Sequence, residues 1–344
     1  MNIVYLIGNG FDLNCGIKSK YTDMYTGYCN SKSNSKIIKD FKQHINQNFS
    51  RWSDFEREIA VYGSALTNER ELLECVRDFK KYLSGYLNKE NEAFSKKIAS
   101  LSSDYSVVSE FLNSFNAFYY DCGFPMSFIR WMERRSGAGS DASIINFNYT
   151  NTIEILNSRT GNKKIFSNSQ IIHIHGDLIH DDIVLGIDDI SQLKAKYQVS
   201  HNLERGLVKP AFNKEYDNEK VVEAEHMIRQ SDLICAFGMS FGITDNTWKR
   251  IIIDSMQQNQ EQFLVFFDYE MSQKEGLVID QKLEEAEYFK NSLEERWELE
   301  IPEQIKTRIL VPCGKNIFNI QTNLDYQLQQ DQKRRDAANN QKKG

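Results

Sequence analysis

Five consecutive apolar residues, Ile3-Val4-Tyr5-Leu6-Ile7, run directly into Gly8-Asn9-Gly10. No alternation divides that run into a wet face and a dry one, so a strand built from it must be covered on both sides. Short runs of the same kind recur at residues 143–147, 171–174, 183–185, 233–237, 263–267 and 308–311, the last stopping at Pro312. Strands of this type predict an α/β fold, with a mainly parallel sheet flanked by helices.

The opening run is too short for a signal-peptide core and lacks a basic flank, so it reads as a first buried strand. No apolar run approaches the roughly 18–20 residues of a membrane span. Lys and Arg total 42 against 48 Asp and Glu, a net charge of -6. That balance provides no global field for nucleic acid or for an anionic membrane. The six cysteines, Cys15, Cys29, Cys75, Cys122, Cys235 and Cys313, include no C-x-x-C pair. Neither a zinc ribbon nor a disulfide framework is expected, and reduced thiols in a cytoplasm are.

Between the first two runs the period changes to that of helices. Trp52, Phe55, Ile59 and Tyr62 fall three and four apart, as do Leu72, Val76, Phe79, Leu83 and Tyr86, and again Val108, Phe111, Phe115 and Phe118. Asn68 with Glu71 has capping-box form. Residues 21–137 therefore read as a large helical insertion after the first strand, closing near Gly137-Ala138-Gly139. Residues 1–20 and 138–320 make the core. Further helices are expected over 218–230, 245–258 and 281–298, the last with Leu283, Ala286 and Phe289 on one face. Residues 329–344 contain no apolar residue but Ala337 and Ala338, and read as a flexible polar tail or a solvated helix.

Four segments can carry chemistry. Gly8-Asn9-Gly10-Phe11-Asp12 follows the first strand, where closely spaced glycines let backbone amides approach a phosphate. The spacing is not G-x-G-x-x-G, and a plain tight turn reads equally well. On the phosphate reading, a side chain at Gly10 should exclude nucleotide with little loss of fold. Asn146-Phe147-Asn148-Tyr149-Thr150-Asn151 places polar residues at the next strand's carboxyl end, where open α/β sheets bind ligands; Thr150 or Asn151 also suits a helix cap. His173-Ile174-His175-Gly176 puts two histidines on one side of a strand, without a further ligand at metal spacing. Buried structural histidines are the ordinary alternative. Gly238-Met239-Ser240-Phe241-Gly242-Ile243-Thr244-Asp245 is a strand-end turn able to bind ribose or phosphate, or simply a turn capped by Thr244 or Asp245. Ser53-Asp54-Phe55-Glu56 has S-x-x-E form, so Glu56 reads first as a capping residue, and Glu154 could close a box with Asn151. Walker A and H-E-x-x-H motifs are absent from the sequence, against P-loop NTPase and zincin.

Taken in order, Gly8-Asn9-Gly10-Phe11-Asp12-Leu13, Trp52-Ser53-Asp54-Phe55-Glu56, Asn146-Phe147-Asn148-Tyr149-Thr150, His173-Ile174-His175-Gly176 and Phe237-Gly238-Met239-Ser240-Phe241-Gly242 resemble the AbiH family of bacterial phage abortive-infection proteins. One departure is Met239, where many members are expected to have histidine. The family in turn resembles a distant sirtuin-like, Rossmann-type domain that binds NAD. The sirtuin four-cysteine zinc module and the acyl-lysine stretch have no counterpart here, which turns the analogy from deacetylation towards NAD hydrolysis.

The resemblance implies catalytic roles for Asn148 and His175, and a nucleotide-binding set of Gly8, Asn9, Gly10, Phe11, Asp12, Gly238, Ser240 and Asp245. NAD is the implied cofactor or substrate, with no metal. The implied function is a conditional NAD glycohydrolase in anti-phage defence, answering an unidentified phage trigger and open to homo-oligomer assembly. The alternatives are a nucleotide-binding sensor without turnover and, further off, a nuclease-type toxin.

Overall fold

The computed structural model describes residues 1–66, 68–101, 124–136, 141–158, 171–180, 182–187, 189–193, 200–209, 219–241, 245–314 and 320–341. The expected helix bearing Val108, Phe111, Phe115 and Phe118, the Gly137-Ala138-Gly139 hinge, Cys122 and the stretch Gly242-Ile243-Thr244 lie outside the described residues.

The first apolar run forms β1 (Asn2–Ile7). It pairs in parallel with β2 (Asp141–Asn146) on one side and β4 (Leu233–Phe237) on the other. β3 (Ile171–His173) extends the sheet beyond β2, while β5 (Phe263–Phe267) and β6 (Ile309–Leu310) extend it beyond β4. The order is β3-β2-β1-β4-β5-β6, with every pair parallel. In this register His173, Asn146, Ile7 and Phe237 share one row across the carboxyl edge.

Because neighbouring side chains leave a strand on opposite faces, each run feeds two cores. Ile3, Tyr5 and Ile7 pack on one face against Ile153, Phe128, Trp131 and Leu324. Val4 and Leu6 share the other core with Ile228, Trp248, Ile252, Leu293 and Trp297. Helices Glu219–Gln230, Asn246–Gln258 and Ile279–Trp297 lie near their expected places. Phe289 is buried, but Leu283, expected on the same inner face, is exposed.

The helical insertion has its own core. It follows α1 (Asn9–Asn14) and contains α2 (Tyr21–Asn30), α3 (Lys36–Gln47), α4 (Phe55–Ala65) and α5 (Glu69–Ala99). The Asn68 side chain accepts from the Glu71 amide, as its sequence position suggests. Trp52, Phe55, Phe79, Tyr25, Tyr28 and Phe41 form the third core, with Phe55 stacked on Phe79 at 3.9 Å. α5 reaches both cores, placing Phe79 and Leu83 in the third and Phe94 and Ile98 against the sheet.

Residues 183–185 are not a strand. Ile183 and Leu185 are instead buried in the core of the insertion, so apolar content that a sheet could have used is satisfied by helix side chains. Beyond residue 320, helix Ile320–Gln341 runs through the polar stretch. The Gln327 amide donates to Asp331 and Gln332 to Asp336 at helical spacing, and Lys97 of α5 pairs with Asp325 at 2.7 Å. No described helix is long and apolar enough to cross a membrane.

Candidate functional site

A cleft of about 490 Å³ opens at the carboxyl ends of β1, β2, β3 and β4. It sits where the strand order reverses between β1 and β4, the place where open α/β sheets leave a crevice for ligands. The sheet contributes Gly8, Asn148, His175 and Gly238 to its lining, and the insertion roofs it with Tyr21, Asp54, Glu56 and Leu87. Of the residues expected to bind or react, Gly8, Asn9, Gly10, Asp12, Asn148, His175, Gly238, Ser240 and Asp245 all line this one cleft. Phe11 does not: it is fully buried in the sheet core, edge-on to Phe237 with ring centroids 5.6 Å apart.

The glycines serve a purpose other than the one their spacing suggests. The Gly8 amide donates to the Phe237 carbonyl at 3.0 Å, and the Gly10 amide to the Gly238 carbonyl at 2.9 Å. Both amides are thus occupied in joining the β1 turn to the β4 turn, and neither points at a phosphate. Gly238 has φ of +67°, in the left-handed region that favours glycine, and a Cβ there would lie 2.5 Å from the Phe11 nitrogen. Met239, the departure from the resemblance, lines the cleft against Gly8. Asn9 accepts a hydrogen bond from the Ser19 hydroxyl at the entrance of the insertion.

Asn148 is buried and anchored three ways. Its side-chain amide donates to the Gly8 carbonyl at 3.0 Å, its backbone amide donates to Asn146 Oδ1 at 3.0 Å, and its carbonyl lies 3.2 Å from His173 Nδ1. Beside it Asp12 is almost wholly buried. The Thr150 hydroxyl donates to Asp12 Oδ2 at 2.6 Å and the Thr152 hydroxyl to Oδ1 at 2.7 Å. Burial pushes the Asp12 carboxyl up to about 6, and the two hydroxyls only partly offset it. Thr150, expected as a helix cap, thus directs its hydroxyl to Asp12.

The two histidines line different cavities. β3 ends at His173, which lines a second cavity with Glu154 and Asp177, while His175 lines the strand-end cleft. His173 Nε2 lies 2.7 Å from Glu154 Oε1. Its Nδ1 faces a carbonyl, which can only accept, so Nδ1 carries a proton and the His173–Glu154 contact holds a second. Burial works against the charged imidazole, but the hydrogen bond and charge of Glu154, joined by the Asn148 carbonyl and Asp177, outweigh it and raise His173 above the ordinary histidine value. Glu154 is thereby committed to His173 rather than to a box with Asn151. His175 is buried in the cleft wall, edge-on to Phe147, and its Nδ1 has no hydrogen-bond partner among the described residues. Burial first, then the charge of Lys209, hold it well below the usual histidine range. It is therefore a neutral imidazole facing a cavity. Among the described residues no three His, Cys, Asp or Glu side chains group as metal ligands.

Two cleft residues were not legible as functional. Glu56 makes no box with Ser53; Asp54 caps α4 by accepting from the Arg57 amide at 3.0 Å. Glu56 instead pairs with Lys209 at 2.7 Å, the two side chains 11% and 6% exposed. Burial opposes the Lys209 charge, but Glu56, then Tyr149 and Asp245, outweigh it and keep the ammonium above its ordinary value. Glu56 lies in one of the segments that carry the resemblance, which was a usable signal; nothing around Lys209 in sequence was. Asp245 takes the N-cap position of helix Asn246–Gln258 without a capping bond from its side chain.

The family model described as bacteriophage abortive infection AbiH matches residues 4–267, from β1 to the end of β5. No curated protein and no solved structure matches the chain at a comparable standard.

Proposed function

Since this chain belongs to the bacteriophage abortive infection AbiH family, we propose that its strand-end cleft binds NAD, as a sirtuin-like domain would, and hydrolyses it when infection is sensed. The observation that carries this reading is a buried, neutral His175 with an unpartnered Nδ1, in the same cleft as Asn148 at the switch point of a parallel sheet. A neutral imidazole keeps one of its two ring nitrogens in the proton-accepting form throughout the neutral range.

The bond between the ribose C1′ and the pyridinium nitrogen breaks, and its electron pair leaves with neutral nicotinamide. The electron-poor C1′ then takes water, whose proton passes to His175 and on to solvent; the other product is ADP-ribose. Asn148, tethered to the Gly8 carbonyl, orients the ribose by its carboxamide oxygen. Asp12 and Asp245 supply negative charge along the cleft where positive charge develops on the sugar. The insertion excludes bulk water with Tyr21, Leu83 and Leu87.

The test is incubation of purified protein with NAD, with and without lysate from phage-infected cells, following nicotinamide release. Release that His175→Ala abolishes supports hydrolysis. Saturable NAD binding without release under either condition overturns hydrolysis in favour of a sensor, and no binding overturns the nucleotide site.

A further inference from the structure

With the Gly8 and Gly10 amides occupied, neither is available to hold a phosphate in this cleft. Lys209 reaches the cleft by a dedicated piece of backbone outside the sheet. Ile187 and Val208 form a parallel bridge, in which the Ile187 amide donates to the Leu207 carbonyl at 2.8 Å and the Lys209 amide to the Ile187 carbonyl at 2.9 Å. The bridge depends on Gly186, where a Cβ would fall 1.9 Å from the Leu207 oxygen. Any side chain there would push the strands of the bridge apart and withdraw Lys209.

The cleft lining also holds the carboxylates of Asp12, Asp54, Glu56 and Asp245. Lys20 lines the cleft too but is exposed, whereas Lys209 is buried among these carboxylates, where its charge acts more strongly on an anionic ligand. Stability does not by itself call for such a pair, since replacing a buried ion pair with apolar residues of similar volume is often neutral.

From the bridge, the buried side chain and the occupied glycine amides, we infer that Lys209 is the phosphate contact of this cleft, with Glu56 as its counterion in the empty state. The inference rests on the nucleotide reading above and deepens it. The ammonium has three N–H groups, so it can donate to a pyrophosphate oxygen while it keeps Glu56. The pair thereby selects phosphate-bearing nucleotides by charge, using side chains in place of a glycine-loop nest.

The experiment is titration calorimetry of the full chain with ADP-ribose, which carries the pyrophosphate but no bond to hydrolyse at nicotinamide. Lys209→Met should weaken binding about 10- to 100-fold, the range for a hydrogen bond to a charged group. Glu56→Gln removes a competing anion and should tighten binding. If Lys209→Met fails to fold, the neutral double variant Glu56→Gln/Lys209→Met is compared with Glu56→Gln, and the same loss is expected. Equal losses in Glu56→Gln and Lys209→Met, or no loss in either lysine variant, overturn the phosphate contact and leave the nucleotide site standing. A wild-type chain that binds neither ADP-ribose nor NAD overturns both.

Discussion

The Gly10 amide donates to the Gly238 carbonyl at 2.9 Å, and a Cβ added to Gly10 would sit 2.6 Å from the Gly238 Cα. The two strand-end turns are therefore packed backbone to backbone. This reverses the expectation that a side chain at Gly10 would spare the fold.

Gly10→Val should destabilise the protein by about 2 kcal/mol or more, since overpacking against backbone commonly costs about 1–3 kcal/mol. Chemical denaturation checks it. A variant with wild-type stability and no nucleotide binding would restore the phosphate-loop reading.

His175→Ala should lower nicotinamide release by about 10²–10⁴-fold, as for a positioned general base, with a native melting transition. Phage protection should be lost in parallel at equal expression. Wild-type protection in this variant would rule out the catalytic assignment.

Asn148→Ala should cost both activity and stability, because it removes a buried hydrogen bond to the Gly8 carbonyl, which keeps only the Phe11 amide. Losing one such hydrogen bond costs about 0.5–1.5 kcal/mol. Paired with His175→Ala, the double variant should be hardly slower than either single one, since residues that act as a unit are not additive. Additive losses would separate the two residues functionally.

Asp12 makes stability depend on pH in a definite direction. Its carboxyl, raised by burial from 3.8 to about 6, binds a proton more tightly in the folded state. Its contribution therefore favours the native state at low pH and is lost as pH rises through about 6. Asp12→Asn should stabilise the protein relative to wild type by about 1 kcal/mol more at pH 8 than at pH 5. Melting curves at the two values test this, and an advantage confined to pH 5 contradicts it.

His173 should titrate above the ordinary histidine value in wild type and fall in Glu154→Gln, because Glu154 leads the groups that offset burial. Raised in this way, His173 adds stability in acid that fades as pH rises through its folded value. Imidazole resonances in NMR titrations read it directly; an unchanged midpoint in Glu154→Gln would place the proton elsewhere.

The parallel sheet was legible in the sequence because residues such as Val4 and Tyr5 must both be buried, on opposite faces, and only a strand covered on both sides permits that. The convergence of Asn148 and His175 was legible from their places at strand ends, since parallel strands bring their carboxyl ends to one edge. Residues 183–185 were misread because a short apolar run carries burial but not the identity of its cover. The role of the glycines depended on which backbone lies opposite, Gly238 for Gly10, and no local spacing encodes a partner so distant in sequence. The same holds for Glu56 and Lys209: a capping pattern and an isolated lysine became a buried ion pair only when the insertion closed over the sheet. Local sequence specified which segments needed burial, and tertiary packing decided which polar atoms would meet there, because that depends on distances between elements that the chain order does not contain.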